Sequence, residues 1–300
     1  MKRVFCAALL GAVTFIPAAS AQRDLSQVEI RTEHAGGQVY ALFGAGGNIG
    51  VLKTDDGVIL IDDQFAPLSD KIKAAVKAIS DKPIRFLLNT HWHGDHTGGN
   101  ENFGGMGVVI VAHDNVYRRL STPQTFANAD RNTKARPKAA LPVITYNDEL
   151  SFHVGETTHV VHVPHAHTDG DSVVFFTESN VVHMGDLLFV DRYPFIDLDS
   201  GGNLNGVIAG VKATLEITGP DTVFIGGHGP LAHRDRVEAY LRVLETARDR
   251  VQALIDAGKS KEEVIAARPM AEYDETWGSG FIKPDAFLAA VYQSLTSGAE

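Results

Sequence analysis

A short apolar run, residues 84–88, is followed at once by a loop that contains His91, His93, Asp95 and His96. The run predicts a buried strand that delivers the chain to the rim of a sheet. His91 and His93 are two residues apart in an extended segment, so their side chains point the same way, whereas Asp95 and His96 follow a bend and point elsewhere. One loop can therefore present ligands to two metal ions. Imidazole and carboxylate groups suit zinc, iron or manganese.

The alternative interpretation is a polar loop in which the histidines have no common role. The chain has 13 histidines in 300 residues, so three within six positions is an unusual concentration. A metal site also requires partners elsewhere in the chain, and three candidates each follow or interrupt a short apolar run: His167, Asp186 and His228. Such positions are typical of strand ends, which can converge on one cleft. His165 lies two residues before His167 and is an alternative ligand.

The order of predicted elements favours an α/β fold built as an αββα sandwich, with strands then a helix repeated twice. Strands are predicted at 38–43, 49–54, 58–62, 84–89, 108–112, 149–163, 172–176, 181–184 and 222–225. Helices are predicted at 67–80, 115–120, 204–217, 234–257 and 284–295. The glycine-rich segment 44–50 lacks the spacing of a nucleotide-binding loop and is interpreted as a mobile hairpin over the cleft. The irregular segment 121–141 is interpreted as a flap that shapes the substrate pocket, with a plain surface insertion as the alternative.

The H-x-H-x-D-H motif and its three ordered downstream partners resemble the metallo-β-lactamase-fold superfamily of metallo-hydrolases. This resemblance implies a single catalytic domain over residues 22–300 and two divalent metal ions, with Zn²⁺ favoured. It implies that the first metal is held by His91, His93 and His167. It implies that the second is held by Asp95, His96 and His228, with Asp186 bridging the two metals.

The same resemblance implies a hydrolase in which a hydroxide held between the two metals attacks a carbonyl carbon. Asp95 would accept the hydroxide's proton, so Asp95 and Asp186 are the predicted catalytic carboxylates. Glyoxalase II-like thioesterases, lactonases and the exported hydrolases found with quinoprotein systems share the bridging aspartate, and the chain is most similar to the last group. The expected substrate is therefore a β-lactam-like cyclic amide, a lactone or a thioester. The alternatives are a non-hydrolytic iron enzyme such as a persulfide dioxygenase, and a periplasmic metal-binding maturation protein of a quinoprotein system.

Two positions depart from many true β-lactamases of this fold. Asp186 stands where several have cysteine or serine, and Phe189 stands where some have a lysine that holds the substrate carboxylate. Arg192 is the nearest base downstream. A charge-assisted hydrogen bond contributes roughly 1.5–3 kcal/mol, so the missing lysine is expected to raise KM for β-lactams about ten- to a hundredfold.

Three further residues are candidates for supporting roles. Asp62 follows a buried strand and resembles the acid that orients ligand histidines in this fold; the alternative is a turn residue. Asp171 is expected to brace the loop that carries His167. Tyr193 is a candidate substrate-binding residue that donates to a developing oxyanion, with a core or flap tyrosine as the alternative.

The N-terminus has the pattern of a secretory signal peptide over residues 1–21: Lys2 and Arg3, an apolar stretch, then a small-residue cleavage site after Ala21. The prediction is a periplasmic or secreted protein with no membrane insertion after cleavage. Cys6 lies inside this segment and is the only cysteine. Cleavage removes two bases and no acid, so the net charge falls from −10 to −12. An acidic surface argues against nucleic acid and leaves a small-molecule substrate as the expected partner.

Overall fold

Two β-sheets stacked face to face form the centre of the computed structural model, which describes residues 24–126 and 128–297. The first sheet has seven strands in sequence order, β1 to β7, and the second has five in the order β12-β11-β10-β9-β8. The strands of the first sheet are β1 Arg31–Gly36, β2 Val39–Phe43, β3 Ile49–Thr54, β4 Gly57–Ile61, β5 Ile84–Leu88, β6 Val109–His113 and β7 Ile144–Tyr146. Those of the second are β8 Glu149–Val154, β9 Glu156–Val163, β10 Asp171–Phe176, β11 Val181–Phe189 and β12 Val223–His228.

Helices cover the outer face of each sheet. The helices are α1 Ser69–Ile79, α2 Gly94–Thr97, α3 Asn100–Gly105, α4 Asp114–Ser121, α5 Leu204–Ile217, α6 Arg234–Asp256, α7 Lys261–Ala267, α8 Asp274–Trp277 and α9 Pro284–Thr296. The longest, α6, buries Val237, Tyr240, Leu244 and Val251, which lie three, four or seven residues apart and so form one apolar stripe. Within the described residues, no helix is both long and apolar enough to cross a membrane.

Alternation along the strands divides the apolar side chains into three layers. Ile59 and Ile61 face the core between the sheets, whereas Leu60 faces α1, because successive strand residues point to opposite faces. On the other side, Leu187 and Leu188 belong to the core beneath α5, α6 and α9. The predicted αββα sandwich is confirmed.

Several elements differ from the sequence-based predictions. The predicted strand 149–163 is two strands, because Gly155 has a φ of 76° and turns the chain back on itself. Strands β1 and β7 were not predicted. Strand β11 continues to Phe189, and its pairing with β12 shifts register around Gly185, whose φ is 50°. This irregularity reorients the side chain that follows, as strand bulges do.

Candidate metal centre

The ends of β5 and β12, the loop between β9 and β10, and the irregular part of β11 meet on one rim of the sandwich. The predicted ligands come from these four places and from the short helix α2, and they fall into two groups: His91, His93, His167 and Asp186, and then Asp95, His96 and His228. Within each group the ligand atoms all lie within 4.8 Å of one another. His165, the alternative to His167, is exposed and its Nδ1 faces the Gly201 carbonyl instead.

In the first group, three imidazole nitrogens face one another. His93 Nδ1 lies 3.1 Å from His91 Nε2 and 2.9 Å from His167 Nε2. Burial lowers the pKa of His167 to about 4 and holds the pKa of His91 well below its usual value. Both rings are therefore neutral at physiological pH, which is the form that binds metal.

The second group is centred on His96, whose Nε2 is buried without a hydrogen-bond partner among the described residues. Asp95 Oδ2 lies 3.8 Å from that nitrogen and 3.5 Å from His228 Nε2. Asp95 and His228 are half-buried, so this group opens towards solvent more than the first.

Asp186 lies between the two groups and turns one carboxylate oxygen towards each. Its Oδ2 lies 3.4 Å from His167 Nε2, and its Oδ1 lies 3.1 Å from His96 Nε2 and 3.4 Å from His228 Nε2. Burial raises the pKa of this carboxyl, but the facing imidazoles of His228 and His96 outweigh it and hold the pKa well below the usual range. Asp186 is therefore ionised and has the position of a bridging ligand.

Hydrogen bonds fix the ligand histidines from behind. His96 Nδ1 donates to Asp62 Oδ2 at 2.7 Å, His93 Nε2 to Asp197 Oδ2 at 2.8 Å, and His167 Nδ1 to the Phe195 carbonyl at 2.8 Å. Each bond places the proton on the outer nitrogen and leaves the inner one free for a metal.

Of the two acids predicted to support the ligands, Asp62 contacts a ligand directly and Asp171 acts on a loop. Asp62 also accepts from the Thr90 amide at 2.8 Å, so it ties the β5 end to His96. Asp171 accepts from the amide and hydroxyl of Thr168, next to His167. Burial raises the pKa of Asp171 to about 8.

Asp197 is a supporting acid that the sequence did not reveal. Burial raises the pKa of its carboxyl, but hydrogen bonds from His93 and Arg131 hold it well below the usual value. The only signal was an acid between the apolar residues Ile196 and Leu198.

The residues present fit a pair of divalent metals. His96 Nε2 and Asp186 Oδ1 are buried, 3.1 Å apart, and both lack a hydrogen-bond partner in the described part of the chain. Buried polar atoms normally have a partner. A cation between these two atoms would bind the lone pairs of both. The histidine and carboxylate donors match the borderline metals, zinc among them.

A cleft of about 560 Å³ opens above the two groups. The irregular segment 121–141 contributes Phe126, Arg131, Thr133, Lys134 and Arg136 to its wall, so this segment does shape the pocket. Trp92, between two ligands, packs its ring against Phe126 with centroids 6.0 Å apart.

The segment 44–50 contains the hairpin turn between the antiparallel strands β2 and β3, and Gly46 lines the cleft, as predicted. Hydrogen bonds tie this turn to the site: Gly47 N donates to the Asp95 carbonyl, Asn48 N to the Gly227 carbonyl and Gln64 Nε2 to the Gly47 carbonyl. One prediction about the cleft needs correction, because the role of Tyr193 as an oxyanion donor disagrees with the geometry. Its ring borders the cleft, but its hydroxyl donates to Asp274 Oδ1 at 3.0 Å and its ring stacks on Phe287.

The arrangement described above agrees with the comparison to known families. The profile of the metallo-β-lactamase superfamily matches residues 42–255, and the chain belongs to this superfamily. It is 27% identical over 268 residues to the "Lactamase-like protein aptB" of Emericella nidulans, covering 86% of this chain and 79% of the relative.

Solved structures share the fold at low sequence identity. A metallo-β-lactamase from Pontibacter korlensis superposes with a TM-score of 0.59 and 18% identity, over 72% of this chain and 99% of that one. The sec-alkylsulfatase Pisa1 from Pseudomonas sp. gives a TM-score of 0.66 and 19% identity over 90% of this chain. The chain spans about half of that enzyme, which it matches over 51% of its length.

Proposed function

We propose that this protein is a dinuclear zinc hydrolase that cleaves a carbonyl substrate such as a β-lactam, a lactone or a thioester. The observation that carries the proposal is the placement of Asp186, whose two oxygens face separate ligand groups 3.1–3.4 Å away. A carboxylate in that position can bridge two metals, and hydrolytic dinuclear sites have this arrangement.

Two divalent cations bound there would polarise a substrate carbonyl and supply a hydroxide at neutral pH. The protein's own part is to orient and to move protons. Asp62, Asp197 and the Phe195 carbonyl fix the imidazole rings, so the site is organised before substrate arrives. Asp95 lines the cleft and is half-buried, which suits it to accept a proton from attacking water. No serine or cysteine nucleophile is required.

The test is metal content followed by a substrate panel. The mature chain, purified from its native host or refolded with metal, is measured by inductively coupled plasma mass spectrometry and then assayed on β-lactams, lactones and thioesters. The Emericella nidulans relative is described as lactamase-like, which places β-lactams first in the panel. We expect two zinc ions per chain and chelator-sensitive hydrolysis. One iron per chain would favour a persulfide dioxygenase-type enzyme instead, and two metals without turnover would favour a maturation protein.

We also propose that the protein is exported. The charged start, apolar stretch and cleavage site over residues 1–21 support this, although that segment lies outside the described residues. N-terminal sequencing of protein from the native host should begin at Gln22. Recovery of Met1 at the N-terminus would contradict export by this signal.

A further inference from the structure

The cleft has an excess of positive charge, although the whole chain has a net charge of −10. The two acids that line it, Asp95 and Asp186, are both candidate metal ligands. The basic residues that line it are Arg119, Arg131, Lys134, Arg136 and Arg192. Among the described residues, no other acid lines the cleft.

Two of these five side chains already have carboxylate partners. Arg119 makes a two-pronged pair with Asp169, with both nitrogen–oxygen distances 2.7 Å. Arg131 donates to Asp197 at 2.6 Å and to Asp199 at 2.7 Å. These pairs connect α4 and the segment 121–141 to the loops that carry or support His167 and His93. Their role is to hold the wall of the cleft.

The other three have no carboxylate within 4 Å in the part of the chain that the structure describes. Arg192 is anchored by its stem against Gly280, and its Nε faces the Val190 carbonyl. Arg136 is half-buried. Its positive charge helps to lower the pKa of the buried Asp63, but its guanidinium donates no hydrogen bond among the described residues. Lys134, two residues earlier, is exposed.

Arg136 also reaches the metal-binding loop. A methyl group on Gly94 would lie 3.6 Å from Arg136 Nη2. Gly94 separates His93 of the first ligand group from Asp95 of the second. A guanidinium offers five donors in a planar fork that matches carboxylate, sulfonate or phosphate oxygens. Arg136 is therefore a cation with unused donors, beside the reacting centre.

Aromatic rings complete the cleft. Phe126 and Phe195 line it beside Arg131, whose guanidinium lies 4.7 Å and 5.5 Å from the two ring centroids. Phe281 lines the cleft as well and is 85% exposed. Together the three phenylalanines give the cleft an apolar wall, which is usual in pockets that bind small molecules.

We propose that Arg136, assisted by Lys134, is a specificity-determining anion subsite. The ligand it selects is a carbonyl compound with an aromatic or apolar body and one anionic group. The carbonyl part of this statement rests on the proposed function, whereas the anionic and apolar parts rest on the cleft alone. The sequence-based expectation that the cleft lacks a cation for a substrate carboxylate is thereby replaced: position 189 is Phe, but segment 121–141 supplies one.

The test compares two dyes that share an aromatic skeleton and differ by one sulfonate, 8-anilinonaphthalene-1-sulfonate and N-phenyl-1-naphthylamine. Each is titrated into the zinc-loaded full chain and followed by fluorescence. Arg136→Gln should weaken binding of the sulfonate about tenfold, because a charge-assisted hydrogen bond is lost. Binding of the neutral dye should change less than about twofold. Arg136→Lys should retain part of the sulfonate affinity.

Lys138→Gln is the matched control, since Lys138 carries the same charge on the same segment but does not line the cleft. It should change neither affinity by more than about twofold, because an exposed charge is largely screened. No binding of the sulfonate to the wild-type chain, or equal effects of Arg136→Gln on both dyes, would overturn the proposal. Circular dichroism confirms that each variant folds.

Dye binding requires no turnover, so the anion subsite and the hydrolase proposal can fail separately. If the substrate panel finds hydrolysis of benzylpenicillin, Arg136→Gln should raise its KM about tenfold with kcat within about twofold. The KM for the methyl ester of the same compound should not change. A loss in kcat alone, with KM constant for both compounds, would mean that Arg136 acts on the metal-binding loop rather than on the anion.

Discussion

Gly47 packs against the ring of His96 so closely that no side chain fits between them. A methyl group at this position would lie 2.1 Å from His96 Cε1 and 2.4 Å from Nε2, the candidate metal-binding atom. Replacing Gly47 by alanine changes neither a charge nor a ligand. The substitution tests whether the segment between β2 and β3 keeps His96 in the position where it can bind the second metal.

The expected loss of metal affinity follows from how little Gly47 and His96 can move apart. Ordinary van der Waals contact begins at 3.4 Å, so the methyl group and the ring must separate by about 1.3 Å. His96 is fully buried and tied to Asp62 at 2.7 Å, while the Gly47 amide donates to Asp95. Distances between a metal and its ligands lie within about 0.2 Å of their usual values. We therefore expect affinity for the second metal to fall at least about a hundredfold, or about 2.7 kcal/mol.

The assay measures metal content after dialysis against graded concentrations of a chelator, together with the thermal midpoint. Gly47→Ala should retain one tightly bound metal and lose the other, and its hydrolytic activity should return with excess zinc. Gly105→Ala is the matched control, because no atom lies within 4 Å of its added methyl group. Two metals held by the Gly47 variant at wild-type affinity would refute the reasoning, because the segment between β2 and β3 would then have moved away from His96 without weakening the metal site.

Three further predictions follow from other contacts in the structure. Asp62→Asn should weaken the second metal about ten- to a hundredfold by chelator competition, because the orienting partner of His96 is lost; equal weakening of both metals would contradict this. Asp186→Ala should lower occupancy of the second metal, and two metals at wild-type affinity would disprove the bridging role. Acidification below about pH 6.5 should destabilise the fold. Burial lowers the pKa of the stacked His113 and His162 rings in the folded protein. As the pH falls below about 6.5, these side chains take up protons in the unfolded chain while they stay neutral in the folded one, and this difference favours unfolding. Urea unfolding at pH 7.5 and 5.5 should show a smaller pH difference for His113→Gln than for the wild type.

The candidate metal ligands could be predicted because the motif over residues 91–96 and its ordered downstream partners resemble those of a known superfamily, and local geometry agrees with that resemblance. Residues two apart in an extended chain share a face, and residues just after parallel strands meet at one edge. The exception is Asp186, which was expected to follow a strand and lies inside β11. Its side chain reaches the site because the register shift around Gly185 turns it there. A glycine before an acid within an apolar run was the signal in the sequence.

The residues that line the cleft could not be predicted in the same way. Arg136 and Lys134 lie in segment 121–141, whose path is set by contacts such as Gln124 with Thr133 and Arg131 with Asp197. Such contacts join residues far apart in sequence and leave no periodic pattern. The prediction that the cleft lacks a cation for a substrate carboxylate was based on position 189 alone. It did not consider Arg136, which lines the cleft from another part of the chain.

Metal binding and substrate selection are therefore assigned to different parts of the molecule. The candidate ligands lie on β11 and β12, in α2 and in the loops that join the strands, where contacts on several sides hold most of their side chains in place. Arg136 lies in segment 121–141 and Phe281 lies between α8 and α9, and neither belongs to the buried core. Substitutions there should alter KM and substrate preference without altering metal affinity, because they leave the hydrogen bonds behind the histidines intact. The same αββα framework and metal site can then serve different substrates, which is how function varies on a shared fold.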